Sequence, residues 1–485
     1  MNAITRILDW PAAPLEDNPL VLWDADAIAR AVKGEASTDF TVSGVEIDSR
    51  DVQPGDLFFA LKGEAMDGHR FVEAAFAKGA AAVVVDRPVD GPHILVEDTM
   101  EALERLGAAA RLRARGPIIG VTGSVGKTGV KEMIFAALDR SSRGDAHRSV
   151  KSYNNHVGVP LSLARMPSRA RYGIFEMGMN HAGEIAALTR QVRPNVALIT
   201  TIAPAHIEML GSEEAIADAK AEIFEGLEEG GTAVIPADSP HFLRLRDAAL
   251  ALGAKVVSFG KAADADVRLL DAVPAIGGGS LVTIDMGDRR VCYTVAAPGE
   301  HQAINSLAVM AAVRAVKGDL GAAGVALAEM GGLAGRGARM EIDVEGGKAL
   351  LIDESYNANP ASMRATLAQL GRTPAHRRIA VLGAMKELGS HGPDYHAGLA
   401  EPIREAGVDY AILVGDEMTA LAVELGKSRA SGLGKPVAFA HCASVREAVE
   451  TLRAFGLERD DAILVKGSNS VGLAALVTAL GKTEG

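Results

Sequence analysis

The chain has 485 residues, a net charge of −12, 48% hydrophobic residues and 23% charged ones, which is the make-up of ordinary folded protein with room for two to four domains. The acidic balance excludes a general nucleic-acid-binding surface, and two cysteines far apart, Cys292 and Cys442, exclude a disulfide framework or a zinc set. No apolar run reaches the ~18 to 20 residues of a membrane span and none near the N-terminus resembles a secretory signal, so a soluble, cytoplasmic protein is expected.

Residues 1–115 read as a first, smaller α/β unit. Strands are expected over 41–48, 56–61, 80–86 and 93–97, and helices over 23–32, 71–78 and 99–115. Two polar, glycine-bearing segments fall at strand ends, where ligand loops sit. One is Asp48-Ser49-Arg50; the other is Lys62-Gly63-Glu64 with Asp67-Gly68-His69-Arg70-Phe71. Each reads equally as a solvated turn.

Residues 116–332 alternate strands and helices, which implies a doubly wound parallel sheet with strands over 117–121, 172–177, 196–202, 232–236 and 255–259. After the first strand comes Gly120-Val121-Thr122-Gly123-Ser124-Val125-Gly126-Lys127-Thr128, then a helical pattern. A strand, a glycine-rich turn and a helix N-terminus cradle phosphate: backbone N–H groups point at its oxygens, Lys127 adds a full charge and Thr128 a hydroxyl for Mg²⁺. Val121 stands where the general phosphate-loop pattern has its first glycine. Ligands bind at the carboxyl ends of such strands. Glu176 ends the second strand and His206 follows the third, which brings an acid and a histidine to the edge that carries Lys127 and Thr128.

A helix over 212–229 has the apolar stripe Ile216, Ile223, Phe224 and Leu227, and Lys220 falls on it. Such a lysine either snorkels to the rim or loses its charge, and a neutral amine reacts with CO₂ to give a carbamate, an anionic metal ligand. Residues 265–297 read as an antiparallel flap, after which an alanine-rich helix opens at Pro298-Gly299-Glu300-His301-Gln302-Ala303-Ile304-Asn305. Residues 333–485 form a third α/β unit with strands over 349–353, 378–382, 410–414, 436–440 and 462–466. Its distinctive segments are Gly335-Arg336-Gly337, Asp353-Glu354-Ser355-Tyr356-Asn357-Ala358-Asn359-Pro360 and Lys466-Gly467-Ser468.

In order and over nearly the whole chain, these segments resemble the Mur ligases, the ATP-dependent amide-forming enzymes of peptidoglycan synthesis. The resemblance implies three domains: a UDP-substrate-binding N-terminal domain (1–115), a central phosphate-loop domain (116–332) and a Rossmann-like acceptor-binding domain (333–485). It assigns Gly123, Ser124, Val125, Gly126, Lys127 and Thr128 to ATP, with Asn305 at adenine and Arg336 and Asp353 reaching the nucleotide. Thr128, Glu176, His206 and a carbamylated Lys220 match metal ligands for two Mg²⁺ ions, and Lys127, His206 and Lys220 carry the catalysis. Tyr153-Asn154-Asn155-His156 and the segment from Asp353 to Pro360 look like the member that joins D-alanyl-D-alanine to UDP-N-acetylmuramoyl-tripeptide. Ser49, Arg50, Asn154 and Asn155 then serve the UDP substrate, and Tyr356, Asn357 and Asn359 the acceptor; a monomer is expected. Two departures are Ala384, where the family often has Asp, and Val471-Gly472-Leu473 after Lys466-Gly467-Ser468, where Met-Glu is common. The alternatives are the sister ligase that adds a diamino acid, whose Asp-Asn-Pro-Arg motif is absent, a folylpolyglutamate-synthase-like ligase, and a phosphate-loop NTPase that makes no amide.

Overall fold

The computed structural model describes residues 21–63, 66–204, 207–275, 278–431 and 437–481. They fall into two compact units, Met1–Arg113 with Leu163–Ser168, and Ala114–Ser162 with Arg169–Gly485.

The first unit is a five-stranded sheet in the order Glu35–Ala36, His93–Leu95, Ala82–Val85, Asp56–Phe59, Gly44–Glu46, parallel except at its first edge. Val83, Val85 and Phe58 from its strands pack on Val72 and Ala75 of the helix Val72–Ala77. The helix expected from residue 23 begins at Ala25, because the Asp24 side chain accepts the Ala27 N–H at 2.7 Å and Trp23–Asp24 pairs as a short strand with Thr41–Val42. Residues 163–168 are built into this unit. The Trp23 indole donates to the Ala164 carbonyl at 2.9 Å, and Arg165 reaches the Val45 carbonyl and the Glu46 carboxylate, both at 2.6 Å.

The second unit holds two sheets, one for each of its two α/β domains. The central sheet has nine strands, in the order Arg290–Val295, Ser280–Asp285, Val267–Pro274, Lys255–Gly260, Thr232–Pro236, Val196–Ile199, Ile118–Thr122, Tyr172–Glu176, Ala146–Arg148. The chain leaves Ile118–Thr122 toward one edge and returns to build the other side from Val196–Ile199, so the strand order reverses beside the glycine-rich loop. That reversal opens the crevice in which doubly wound sheets bind ligands. The expected antiparallel flap is instead the continuation of this sheet: Val267–Pro274 pairs in parallel with Lys255–Gly260 at Phe259↔Val267 before the sheet turns antiparallel. The core under the loop joins Val130, Ile134 and Leu138 of the helix Lys127–Ser142 to Leu307 and Met310 of the helix Glu300–Ala315.

The helix expected over 212–229 ends at Ala221 and tightens into a 3₁₀ turn, Glu222–Gly226. The Glu222 carboxylate accepts the Gly183 and Ala186 N–H groups at 2.6 and 3.1 Å, and Thr189 Oγ1 donates to the Ile223 carbonyl at 2.8 Å, which draws that turn onto its neighbour.

The C-terminal sheet runs Ala338–Val344, Gly347–Glu354, Ala462–Lys466, Arg378–Gly383, Tyr410–Val414, Ala438–Cys442. It is parallel after its first hairpin, and that antiparallel edge strand is an addition to the sequence expectation. Ala384, the departure from the family pattern, is fully buried and its carbonyl accepts the Ser468 N–H at 3.1 Å. Among the described residues no helix is long and apolar enough to cross a membrane.

His396, 1% exposed, accepts the Met385 N–H at Nε2 (2.9 Å) and donates from Nδ1 to the Gly392 carbonyl (2.7 Å). Burial holds its pKa below the usual histidine range, so the native ring stays neutral while the unfolded chain takes up a proton below about 6.5. Stability is therefore expected to fall as pH drops through that unfolded value. Thermal unfolding between pH 7 and 5 checks this: His396→Gln, which keeps a donor and an acceptor but does not titrate, should show a shallower loss than the parent, and equal slopes would contradict it.

Candidate active site

The site is built on the turn between Ile118–Thr122 and the helix Lys127–Ser142. Gly123 (φ 143°) and Gly126 (φ 88°) hold backbone angles that favour glycine. A Cβ at Gly123 would lie 2.0 Å from Thr200 Oγ1, and one at Gly126 would lie 3.1 Å from Asn305 Nδ2, so the loop needs glycine at both places and Asn305 lies against it. The Ser124 N–H donates to the Thr201 carbonyl (2.8 Å), Ser124 Oγ to the Ala203 carbonyl (2.9 Å) and Thr200 Oγ1 to the Val125 carbonyl (2.5 Å). Lys127 Nζ donates back to the Gly123 carbonyl at 2.6 Å, closing the loop on itself.

Glu176 ends the neighbouring strand and is only 1% exposed. Its Oε2 accepts the Thr128 hydroxyl at 2.8 Å and its Oε1 accepts Asn154 Nδ2 at 2.8 Å. The parallel register Glu176↔Val121 sets this geometry, because it carries the acid to the level of the loop. Asn154 thus stands with the phosphate-loop residues, an association its sequence neighbourhood does not reveal.

Lys220 is 2% exposed, as its place on the apolar stripe implies, and none of the hydrogen bonds or ion pairs of the described residues involves its Nζ. Burial, reinforced by the nearby Lys127 cation, holds its pKa well below the usual lysine range. Lys127 is lowered too, first by burial and then by Arg336, against the pull of Glu176. Lys127 thus stands near two other basic side chains, Lys220 and Arg336, and the buried Glu176 carboxylate. His206 lies outside the described residues.

Arg336 enters from the C-terminal domain. Its guanidinium donates to Ser152 Oγ at 3.3 Å and lies 4.1 Å from the centre of the Tyr356 ring. The Asp353 carboxylate holds this arm: one oxygen accepts the Gly335 N–H (2.7 Å), and the other the Ser355 hydroxyl (2.6 Å) and N–H (3.1 Å). The Asn357 carbonyl accepts Lys466 Nζ (2.9 Å), a buried cation that also lies 3.5 Å from Glu354. Asn359 is buried as the N-cap of the helix Pro360–Arg372, accepting the Ser362 N–H at 2.9 Å while Ser362 Oγ accepts the Asn359 N–H at 3.1 Å.

Three family models match along the chain: the Mur ligase family catalytic domain over residues 41–139, the Mur ligase middle domain over 121–313 and the Mur ligase glutamate ligase domain over 338–469. A UDP-N-acetylmuramoyl-tripeptide–D-alanyl-D-alanine ligase of Synechocystis is 37% identical over 464 residues, covering 92% of this chain and 93% of that one. The chain belongs to the Mur ligase family. Among solved structures, MurF of Acinetobacter baumannii superposes with a TM-score of 0.80 at 28% identity, covering 96% of this chain and all of that one. MurF ligase of Thermotoga maritima in complex with ADP gives 0.71 at 25% identity, covering 90% and 97%.

In this Mur ligase no group of three or more His, Cys, Asp or Glu among the described residues could hold a metal alone. The donors present, the Glu176 carboxylate and the Thr128 hydroxyl, are hard oxygens, and Thr122 Oγ1, fully buried at the strand end, has no hydrogen-bond partner among the described residues. An oxygen set that is incomplete until phosphate oxygens join it fits Mg²⁺, which characteristically takes one or two carboxylates plus substrate phosphates.

Asn155, Ser49 and Arg50 are the remaining expected site residues. Asn155 is exposed, and its Oδ1 accepts the Gly158 N–H at 2.9 Å. In the first unit the exposed Arg50 is paired with Asp48 at 2.6 Å, and Ser49, half-buried, lies in the same turn. The second polar segment there is a fixed network: His69 Nδ1 lies 2.8 Å from Asp67, Arg87 pairs with Asp67 at 2.8 Å, and Lys62 pairs with Asp86 at 2.5 Å. Lys131, Ser149 and Ser152, which hold the loop around Asn154, have one signal in the sequence: Lys131 shares the buried face of Val130, Ile134 and Leu138.

Asn359→Ala should lower stability by about 1 kcal/mol through loss of the cap, read as an earlier thermal unfolding transition. Unchanged stability together with a raised KM for the acceptor would show that Asn359 acts on ligand instead.

Proposed function

We propose that this chain forms an amide bond at the expense of ATP, joining D-alanyl-D-alanine to the terminal carboxylate of a UDP-N-acetylmuramoyl tripeptide. Relatives named for that activity match it along almost its whole length, and one neighbour of the same fold is a complex with ADP. The observation that carries the reading is the buried Glu176–Thr128 pair beside Lys127, at the point where the central strand order reverses.

The chemical problem is to press an anionic carboxylate against an anionic triphosphate. Two unit charges ~4 Å apart repel by about 4 kcal/mol at a surface-like dielectric. Lys127 leaves the Gly123 carbonyl for phosphate oxygens, and the loop N–H groups and helix N-terminus take the rest of the phosphate charge. Asn305 meets the adenine, and Arg336, steadied by Tyr356, closes on the nucleotide from the C-terminal domain. Thr128 and Glu176 would hold one Mg²⁺; His206 and Lys220, the latter as its carbamate, would hold a second. Bound there, Mg²⁺ supplies positive charge to the phosphate and carboxylate oxygens.

Burial and the neighbouring Lys127 keep Lys220 neutral enough to react: the amine nitrogen bonds to the carbon of CO₂ and one proton is released. A carbamate reaches further from the helix than Asp or Glu and turns a neutral amine into an anionic oxygen donor. The substrate carboxylate oxygen attacks the γ-phosphorus and ADP leaves, giving an acyl phosphate. The amine of the dipeptide then displaces inorganic phosphate and loses a proton. Positioning and charge do the catalysis. The first domain, through Ser49 and Arg50, holds the UDP end, and Tyr356 and Asn357 stand on the acceptor side.

With the tripeptide nucleotide present, ADP release should depend on D-alanyl-D-alanine and be unsupported by a diamino acid such as diaminopimelate. Release that needs no acceptor would point to a plain NTPase, and release on diaminopimelate to the sister ligase. Lys220→Ala should lower turnover by at least about 100-fold, as loss of a metal-orienting group does, with partial rescue by short carboxylic acids and none by bicarbonate. Near-normal turnover of that variant would end the carbamate assignment.

A further inference from the structure

The mechanism gives no task to the buried cation of the loop helix, Lys131. Lys131 is fully buried on the helix that begins at Lys127, three residues after Thr128 and four after Lys127, on the same side of the helix. Its Nζ donates to the Ser149 carbonyl at 2.8 Å and the Lys151 carbonyl at 2.9 Å, and lies 2.8 Å from Glu132 Oε1, whose other oxygen is 2.7 Å from Arg148 Nε. A desolvated ammonium is tolerated only where such acceptors surround it.

The two carbonyls belong to the turn that follows the edge strand Ala146–Arg148. Lys151 sits there at φ 52°, a left-handed angle that a side-chain-bearing residue holds only when its surroundings impose it. Four hydrogen bonds tie this turn to the site. Ser149 Oγ accepts the Glu176 N–H at 3.1 Å, Ser152 Oγ accepts Arg336 at 3.3 Å, and Asn154 grips Glu176 by its side chain at 2.8 Å, while the Asn154 carbonyl accepts the Gly178 N–H at 2.8 Å. We propose that Lys131 is a positioning residue: by pinning the turn 149–154 it aims the Glu176 carboxylate at the Thr128 side of the loop and sets the seat of Arg336. The helix that carries the phosphate-binding residues thereby also carries the strut for the opposite wall. The inference rests on the reading of Thr128 and Glu176 as the Mg²⁺–nucleotide site.

The test is binding of a fluorescent ATP analogue to the full chain, with and without Mg²⁺ and with no tripeptide or dipeptide present. Lys131→Met should raise the Mg²⁺ concentration needed for half-maximal binding by about 10- to 100-fold, the range seen when a group that orients a metal ligand is lost. Metal-free nucleotide binding should be unchanged within a factor of about 3, and Lys131→Arg should recover most of the Mg²⁺ response. Asn154→Ala, which removes only the carboxylate's second donor, should reproduce the shift in Mg²⁺ demand. A purely structural lysine would lower the unfolding temperature and the active fraction but leave the Mg²⁺ demand of the folded fraction unmoved; that result overturns the proposal. If Lys131→Met does not fold, wild-type Mg²⁺ demand in Asn154→Ala overturns it equally. A parent protein whose nucleotide binding ignores Mg²⁺ would instead overturn the reading of the site itself.

Discussion

A carboxylate taken out of water must find a donor for each oxygen, and Glu176 finds its donors in parts of the chain far apart in sequence. The Thr128 hydroxyl comes from the first turn of the loop helix, the Asn154 amide from the turn beyond the edge strand, and the Ser149 hydroxyl meets its backbone N–H. A buried acid left short of donors would cost several kcal/mol. The register of Tyr172–Glu176 on Ile118–Thr122, the glycines of the loop and the turn 149–154 must therefore agree with one another. They agree at the place where the strand order reverses and the sheet opens.

Around this acid the balance of charge is positive. Lys127 lowers the affinity of the buried Lys220 for a proton, and Arg336 does the same to Lys127. Such an excess is a cost in the free chain and a gain once a triphosphate and a carboxylate enter, which is the differential binding that phosphoryl transfer requires. Arg336 belongs to the C-terminal domain, and Asp353 keeps its arm in place by gripping Gly335 and Ser355. Arg336 thereby joins the C-terminal domain to the turn 149–154.

Much of this was legible in the sequence because periodicity and strand ends are local properties. The loop, the acid at the next strand end and Lys220 on an apolar stripe are read from spacing alone. The antiparallel end of the central sheet was legible as hairpins, though not as part of that sheet, since pairing with Lys255–Gly260 is a tertiary choice. Lys131 shows the limit. It breaks the apolar face of its helix as Lys220 does, yet its acceptors are backbone carbonyls, which leave no mark on the sequence. Asn359 shows the converse: a polar residue inside a distinctive motif turned out to cap a helix with Ser362, a pairing visible in the Asn-Pro-x-Ser spacing.

The central claim is that this charge distribution serves to bring a carboxylate oxygen onto the γ-phosphorus. It is tested most directly by labelling the terminal carboxylate of the tripeptide nucleotide with oxygen-18 and analysing the inorganic phosphate released during amide formation. Transfer through an acyl phosphate predicts a single labelled oxygen in each phosphate. Phosphate free of label, with amide still formed, would contradict the account.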